Sequence, residues 1–179
     1  MRSIAGLLQP LGDVHAFDYP YMREGKKRPD PLPRLVDAHR CALDALRRIH
    51  DGPIVLVGKS MGGRVGCHVA LLDTVAAVIC LGYPLCGGGD TAKMRDQVLL
   101  ALATPAMFVQ GTRDKLCPLD LFDEVRRRMS APTDLHVVAG GDHSLLVTKT
   151  DLKARRSTQD DVDRQIAGAI ATFTARRVG

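Results

Sequence analysis

The chain has no tryptophan, and aromatic residues make up only 4% of its 179 positions. A surface that stacks nucleic-acid bases needs aromatic platforms set along a basic stripe. Here the excess positive charge, +5 from 25 Lys and Arg against 20 Asp and Glu, is scattered in short runs such as Lys26-Lys27-Arg28, Arg47-Arg48 and Arg126-Arg127-Arg128. Such runs read as solvated faces, so no nucleic-acid partner is expected. Long apolar stretches are missing too. Nothing approaches the length of a membrane span, and residues 1–10 carry a short apolar patch without a long apolar core or a cleavage site. No membrane association is expected. The five cysteines (Cys41, Cys67, Cys80, Cys86, Cys117) are irregularly spaced, with no C-x-x-C pair and no zinc-like Cys/His cluster. Neither a metal nor a cofactor is expected. Cys67 and Cys80 lie in apolar patterns and read as small buried hydrophobes, which suits a reducing, cytoplasmic compartment.

What the chain does have is a 45% hydrophobic content. At this length that suffices for one core and is too little for two comfortable domains, so residues 1–179 are read as one domain. Residues 2–8 offer one or two helical turns, and Val14-His15-Ala16-Phe17 a short strand. Residues 22–33 are charged and rich in Pro and Gly, hence a loop. Leu35, Ala38, Ala42, Leu46 and Ile49 recur at spacings of three and four, which predicts an amphipathic helix over 34–50, with Pro31 and Pro33 opposing an earlier start. Strands are predicted at 53–57, 75–81, 105–110 and 135–139. Helices are predicted at 63–72, 92–103 and 119–129, and a closing helix carries Ile166, Ala169, Ile170 and Phe173. Residues 82–90, with three consecutive glycines, read as a flexible loop. The unbroken apolar run 75–81 fits a strand covered on both faces, and the alternation of strands with helices predicts a mostly parallel α/β sheet.

The strand at 53–57 runs into Gly58-Lys59-Ser60-Met61-Gly62 and then into a helix. Strand, G-x-S-x-G, helix is the arrangement of a nucleophile elbow. A sharp turn of this kind strains the serine and crowds the backbone around it, so the flanking glycines are expected to be small for steric reasons. The turn would lift the Ser60 hydroxyl clear of the sheet and aim the Met61 N–H at a developing oxyanion. A phosphate-binding loop is excluded, because Gly58 to Gly63 is too short for G-x-x-x-x-G-K-[ST]. Arg64 reads as a helix anchor.

In a parallel α/β sheet, function gathers beyond the C-terminal ends of the strands. Ser60 follows one strand, Asp114 a later one and His143 the last. A serine hydroxyl needs a base to take its proton as it attacks. Neutral histidine can take that proton near pH 7 and return it to the leaving group, and a carboxylate fixes the ring tautomer. Ser60, His143 and Asp114 are the candidate catalytic residues, in the chain order Ser, Asp, His. Asp142 adjoins His143 and is expected to point elsewhere; Asp18 is a weaker alternative acid. His15, His39, His50, His68 and His136 are assigned no chemistry.

Four segments then carry a more specific likeness: Gly58-Lys59-Ser60-Met61-Gly62-Gly63-Arg64, Phe17-Asp18-Tyr19-Pro20-Tyr21-Met22 with Arg28-Pro29-Asp30, Gly111-Thr112-Arg113-Asp114, and Gly141-Asp142-His143-Ser144. Over nearly the whole chain they resemble the small dienelactone-hydrolase-like α/β-hydrolases. Within that group the likeness is to the branch related to testis-expressed protein 30 and to the third regulatory subunit of the nonspecific-lethal acetyltransferase complex. The resemblance implies an α/β-hydrolase-like three-layer sandwich, with Ser60 as nucleophile, Asp114 as acid and His143 as base. It also implies an N-terminally shortened fold: the strand and H-G-x-G-like loop that precede the first helix in that group have no counterpart here. That loop supplies a second oxyanion donor, and losing one such donor costs about 3 kcal/mol. The absent strand would leave a ladder edge open on the elbow strand. Residues 14–17 could pair there, a second copy or another protein could cover the edge, or the sequence could be part of a longer one.

Two functions follow as expectations. The first is a serine hydrolase acting on a small ester, thioester or related acyl bond; with no lid-like apolar insertion, a modest and open substrate is expected. Residues 84–90 and 19–27, with Tyr21 and Met22, would line its acyl pocket. The second is a catalytically weak interaction or scaffold module, for which a nuclear location would fit.

Overall fold

The computed structural model describes residues 4–178. In chain order these form α1 (Ile4–Leu8), α2 (Pro20–Arg23), α3 (Leu32–Arg47), β1 (Val55–Lys59), α4 (Met61–Ala70), β2 (Ala77–Leu81), β3 (Cys86–Gly87), β4 (Asp90–Met94), α5 (Gln97–Ala101), β5 (Ala106–Gly111), α6 (Leu119–Arg128), β6 (Thr133–Val138), α7 (Lys149–Ala154) and α8 (Gln159–Arg177). Arg2 and Ser3 of the first predicted helix lie outside the described residues.

The main sheet has the order β1-β2-β5-β6, and every pairing in it is parallel. β2 shows why it holds together. All five of its residues are buried, and they alternate between two cores: Val78 and Cys80 face one, Ala77, Ile79 and Leu81 the other. The first core is filled by Leu35 and Leu43 of α3, Val65 and Val69 of α4, Leu99 of α5 and Phe122 of α6. The second takes Leu8 of α1 and Ile166, Ile170 and Phe173 of α8. The result is the parallel α/β sheet that the alternating pattern predicts, covered on both faces as the three-layer sandwich that the resemblance implies. Phe108 of β5 packs edge-on against Phe122 (4.8 Å between centroids) and Tyr83 (6.0 Å), a seam that joins sheet, helix and the loop after β2.

Several expectations are corrected. Residues 14–17 form no strand. Phe17 instead packs its ring on Tyr19 and on His39 of α3, at 5.1 and 5.0 Å between centroids, and Pro20 opens α2 two residues past Asp18. β1 is consequently the edge of the sheet among the described residues. The glycine loop at 82–90 is ordered at its centre: β3 and β4 pair antiparallel, turning at Gly88 and Gly89, whose φ values of 63° and 79° suit glycine. The hairpin takes up residues 92–94, so α5 starts later than the helix predicted over 92–103. α3 begins at Leu32, because Pro33 stands in the first turn, where a missing N–H removes no helical bond.

Candidate active site

Ser60 sits between β1 and α4 with φ 52° and ψ −119°, a conformation that costs a non-glycine residue about 1–3 kcal/mol. The surroundings enforce it. The Ser60 N–H donates to the Leu81 carbonyl at the end of β2 (2.8 Å), and the Ser60 carbonyl accepts from Arg64 N–H (3.2 Å). Close packing explains two glycines. A Cβ on Gly58 would overlap the Gly62 carbonyl carbon and the Gly63 nitrogen, and one on Gly63 would stand 2.8 Å from the Gly58 oxygen. Gly62 faces open space. The steric requirement expected on both sides of the serine therefore falls on Gly58 and Gly63, and not on the second glycine of G-x-S-x-G.

The other two candidates arrive from β5 and β6. Asp114 follows β5 in a tight turn in which its own N–H donates to Gly111 O (3.2 Å) and its Oδ1 accepts from Leu116 N–H (2.9 Å). Its side chain is fully buried. The loop carrying His143 is stitched to this turn: Arg113 N–H donates to Gly141 O (2.8 Å), and Gly140 N–H to the Thr112 hydroxyl (2.8 Å). The glycine at the end of β5 is needed here, because a Cβ on Gly111 would overlap the Gly141 carbonyl. Sequence reasoning placed the loops without identifying these ties; the signal for them was a glycine closing an apolar strand.

Three side chains meet as a result. His143 Nδ1 lies 2.9 Å from Asp114 Oδ2, and His143 Nε2 lies 2.8 Å from Ser60 Oγ. A carboxylate only accepts, so the neutral ring donates from Nδ1 and accepts the serine hydroxyl at Nε2. Asp142 points away, its Oδ1 accepting from Ser144 N–H (2.8 Å) and Leu146 N–H (3.0 Å) to hold the loop. Asp18 is exposed and outside this hydrogen-bonded set. Met61 opens α4, so its N–H has no acceptor within the helix and is available to an incoming oxyanion. Cys117 is buried beside the acid turn, where burial first and the Asp114 charge second push its thiol up, away from the thiolate form. Cavities of about 360 and 290 Å³ lie elsewhere, around Pro53 and Val75 and around His136 and Arg155, and neither includes Ser60. No group of side chains suited to a metal ion is found among the described residues.

A strained serine on a strand-to-helix turn, with a histidine and a buried carboxylate from later strands, defines the α/β-hydrolase class. The chain belongs to that family: residues 1–175 match the alpha/beta hydrolase domain. Among individual proteins it is similar to lipase LipV of Mycobacterium tuberculosis, 38% identical over 82 residues that cover 44% of this chain and 31% of that one. It also resembles the esterase domain of a Rhodothermus marinus protein (TM-score 0.63, 15% identity, 80% of this chain and 69% of that one). A further likeness is to a serine hydrolase without a lid from Xanthomonas campestris (TM-score 0.59, 17% identity, 86% and 61%). At these identities the solved structures carry the fold alone. The chain spans about a third of the curated relative it matches.

Proposed function

We propose that this chain is a serine hydrolase that cleaves a small ester, thioester or related acyl bond through an acyl-enzyme. The observation that carries the reading is the continuous relay from Ser60 Oγ through His143 to Asp114, with contacts of 2.8 and 2.9 Å. Ser60 attacks the carbonyl carbon as His143 Nε2 takes its proton. Asp114 holds the ring tautomer and offsets the imidazolium charge. The tetrahedral oxyanion is met by the Met61 N–H at the start of α4. Collapse of the intermediate expels the leaving group, which receives the proton from His143. Water then attacks the acyl-Ser60 ester by the same route and releases the acid. Residues 84–90 and 19–27 flank the acyl group. The finer kinship, with dienelactone-hydrolase-like proteins, rests on the Gly58–Arg64 run and the acid and base motifs. A cytoplasmic location fits the five free cysteines.

Turnover of p-nitrophenyl acetate and of a short acyl thioester tests this. Wild type should hydrolyse at least one of them and S60A neither; hydrolysis unchanged in S60A contradicts the proposal.

A second reading, an interaction module of low activity, is favoured by one observation: β1 is a sheet edge among the described residues. A second copy or another protein pairing along β1 would cover it. Sedimentation equilibrium distinguishes a self-paired form, which predicts a dimer, from a monomer.

A further inference from the structure

Residues 82–90, expected as one flexible loop, divide in two. Gly82 to Cys86 continue from Leu81 as an entirely buried segment, and exposure begins only with the hairpin turn at Gly88 and Gly89. The buried segment touches all three loops that carry the reacting side chains. The Leu81 carbonyl accepts the Ser60 N–H at 2.8 Å. Cys86 N–H donates to the Leu116 carbonyl (2.7 Å), and Leu116 N–H in turn donates to Asp114 Oδ1 (2.9 Å). Between these two ties stands Gly82, with φ 66°. Its Cα lies so close to His143 that a Cβ there would stand 2.6 Å from the His143 carbonyl oxygen and 3.6 Å from Nδ1.

The segment is itself held from behind. Gly82 N–H donates to the Val109 carbonyl of β5 (2.8 Å). The Tyr83 hydroxyl donates to the Arg95 carbonyl (2.8 Å), and Arg95 N–H donates to the Leu85 carbonyl (2.8 Å). His143 has less support of its own. Hydrogen bonds fix Gly141, Asp142 and Leu145 on either side of it, but among the described residues none is made by the His143 main chain. Contact with Gly82 therefore sets its position on that side. Two consecutive residues at the end of β2 thus hold the nucleophile and the base, one by a carbonyl and the other by the absence of a side chain. Any Cβ at position 82 would push the His143 main chain away by roughly half an ångström or more to relieve the overlap.

We propose that Leu81–Cys86 is the template that keeps the three reacting loops in register, and that Gly82 is a positioning residue that fixes the reach of His143 to Ser60. The consequence for turnover rests on the hydrolase reading; the placement of the imidazole does not.

Nitrogen NMR of resting protein carrying isotope-labelled histidine reads that placement without turnover. The His143 ring signals are assigned by their loss in H143A. G82A should shift them, as the bonds to Asp114 and Ser60 are displaced, and leave those of His39 and His136 in place. G82N carries the same Cβ in a residue that tolerates a positive φ; it should act alike and keeps the test open if G82A does not fold. On an ester, each variant should lower kcat by about a hundredfold with KM little changed, the pattern of an interaction lost from the transition state alone. A merely structural glycine would lower the melting temperature and leave the His143 signals of the folded protein where they are. Folded G82A or G82N with wild-type His143 signals, or with wild-type kcat, overturns the inference. Shifted His143 signals in a protein whose wild type hydrolyses no ester would support the positioning role and count against the hydrolase reading alone.

Discussion

His143 Nε2 and Ser60 Oγ stand 2.8 Å apart although 83 residues separate them in the chain. The contact is made although β1 and β6 lie at opposite edges of the sheet, because every pairing is parallel and both strands therefore end on the same side of it. Behind the histidine, the Asp114 side chain is fully buried, so its charge acts on the imidazole with little screening. If this relay works as proposed, its members contribute unequally. S60A and H143A should each lower kcat/KM on an ester by on the order of a millionfold, and D114N, which keeps the shape, by roughly ten-thousandfold. Steady-state kinetics on the three variants checks the order.

The two glycines that bracket Ser60 in the G-x-S-x-G pattern should differ sharply. Gly58→Ala places a methyl group inside backbone atoms of Gly62 and Gly63, where nothing can yield without breaking the elbow. A loss of about 3 kcal/mol or more is expected. Gly62→Ala meets nothing within 4 Å and should fold as wild type does. Urea denaturation of both variants is the measurement.

Stability should fall on mild acidification. His39 is buried on α3 against Tyr19, and burial pushes its pKa down to about 4, against an ordinary value of about 6.5 when unfolded. Between those values the unfolded chain binds a proton that the folded chain refuses. Unfolding free energy therefore declines as pH drops through this window, by about 3 kcal/mol from His39 when complete. His68 and His136, also pushed down by burial, act in the same direction. Denaturation curves near pH 7.5 and about pH 5 should separate in wild type and approach one another in H39Q.

The start of α8 is a reciprocal cap. The Thr158 side chain accepts from Asp161 N–H, and the Asp161 carboxylate accepts from Thr158 N–H (2.8 Å). The hydrogen bonds from Thr158, with help from Arg164, hold the Asp161 carboxyl at about 2. T158A should lower stability by about 1 kcal/mol, read as a shift in denaturation midpoint with unchanged slope.

β1, β2 and β5 are readable because each is a short, largely apolar run closed by a glycine or a polar turn, whereas β6 is marked only by its apolar second half, Val137-Val138, before Gly140. Ile79 and Met107 declare their burial by apolar neighbours on both sides, and Ser60, Asp114 and His143 stand past the ends of the strands. Three features were not readable, for separate physical reasons. Val14 to Phe17 has strand-like composition, but a strand needs a partner, and Phe17 finds its contacts on Tyr19 and His39 instead. The hairpin of β3 and β4 is mostly exposed, so no alternation of apolar residues marks it; its Gly88-Gly89 turn was the available sign. The steric role of Gly63 lies outside the G-x-S-x-G pattern altogether and emerges only when α4 packs against Cys80 of β2.

The central claim is that Ser60 is an activated nucleophile, and a fluorophosphonate probe addresses it most directly. Labelled protein is digested and the modified peptide identified by mass spectrometry. The account predicts a single adduct on Ser60, abolished in S60A and strongly slowed in H143A. Folded wild-type protein that stays unlabelled over hours, or that labels at the same rate in H143A, would contradict it.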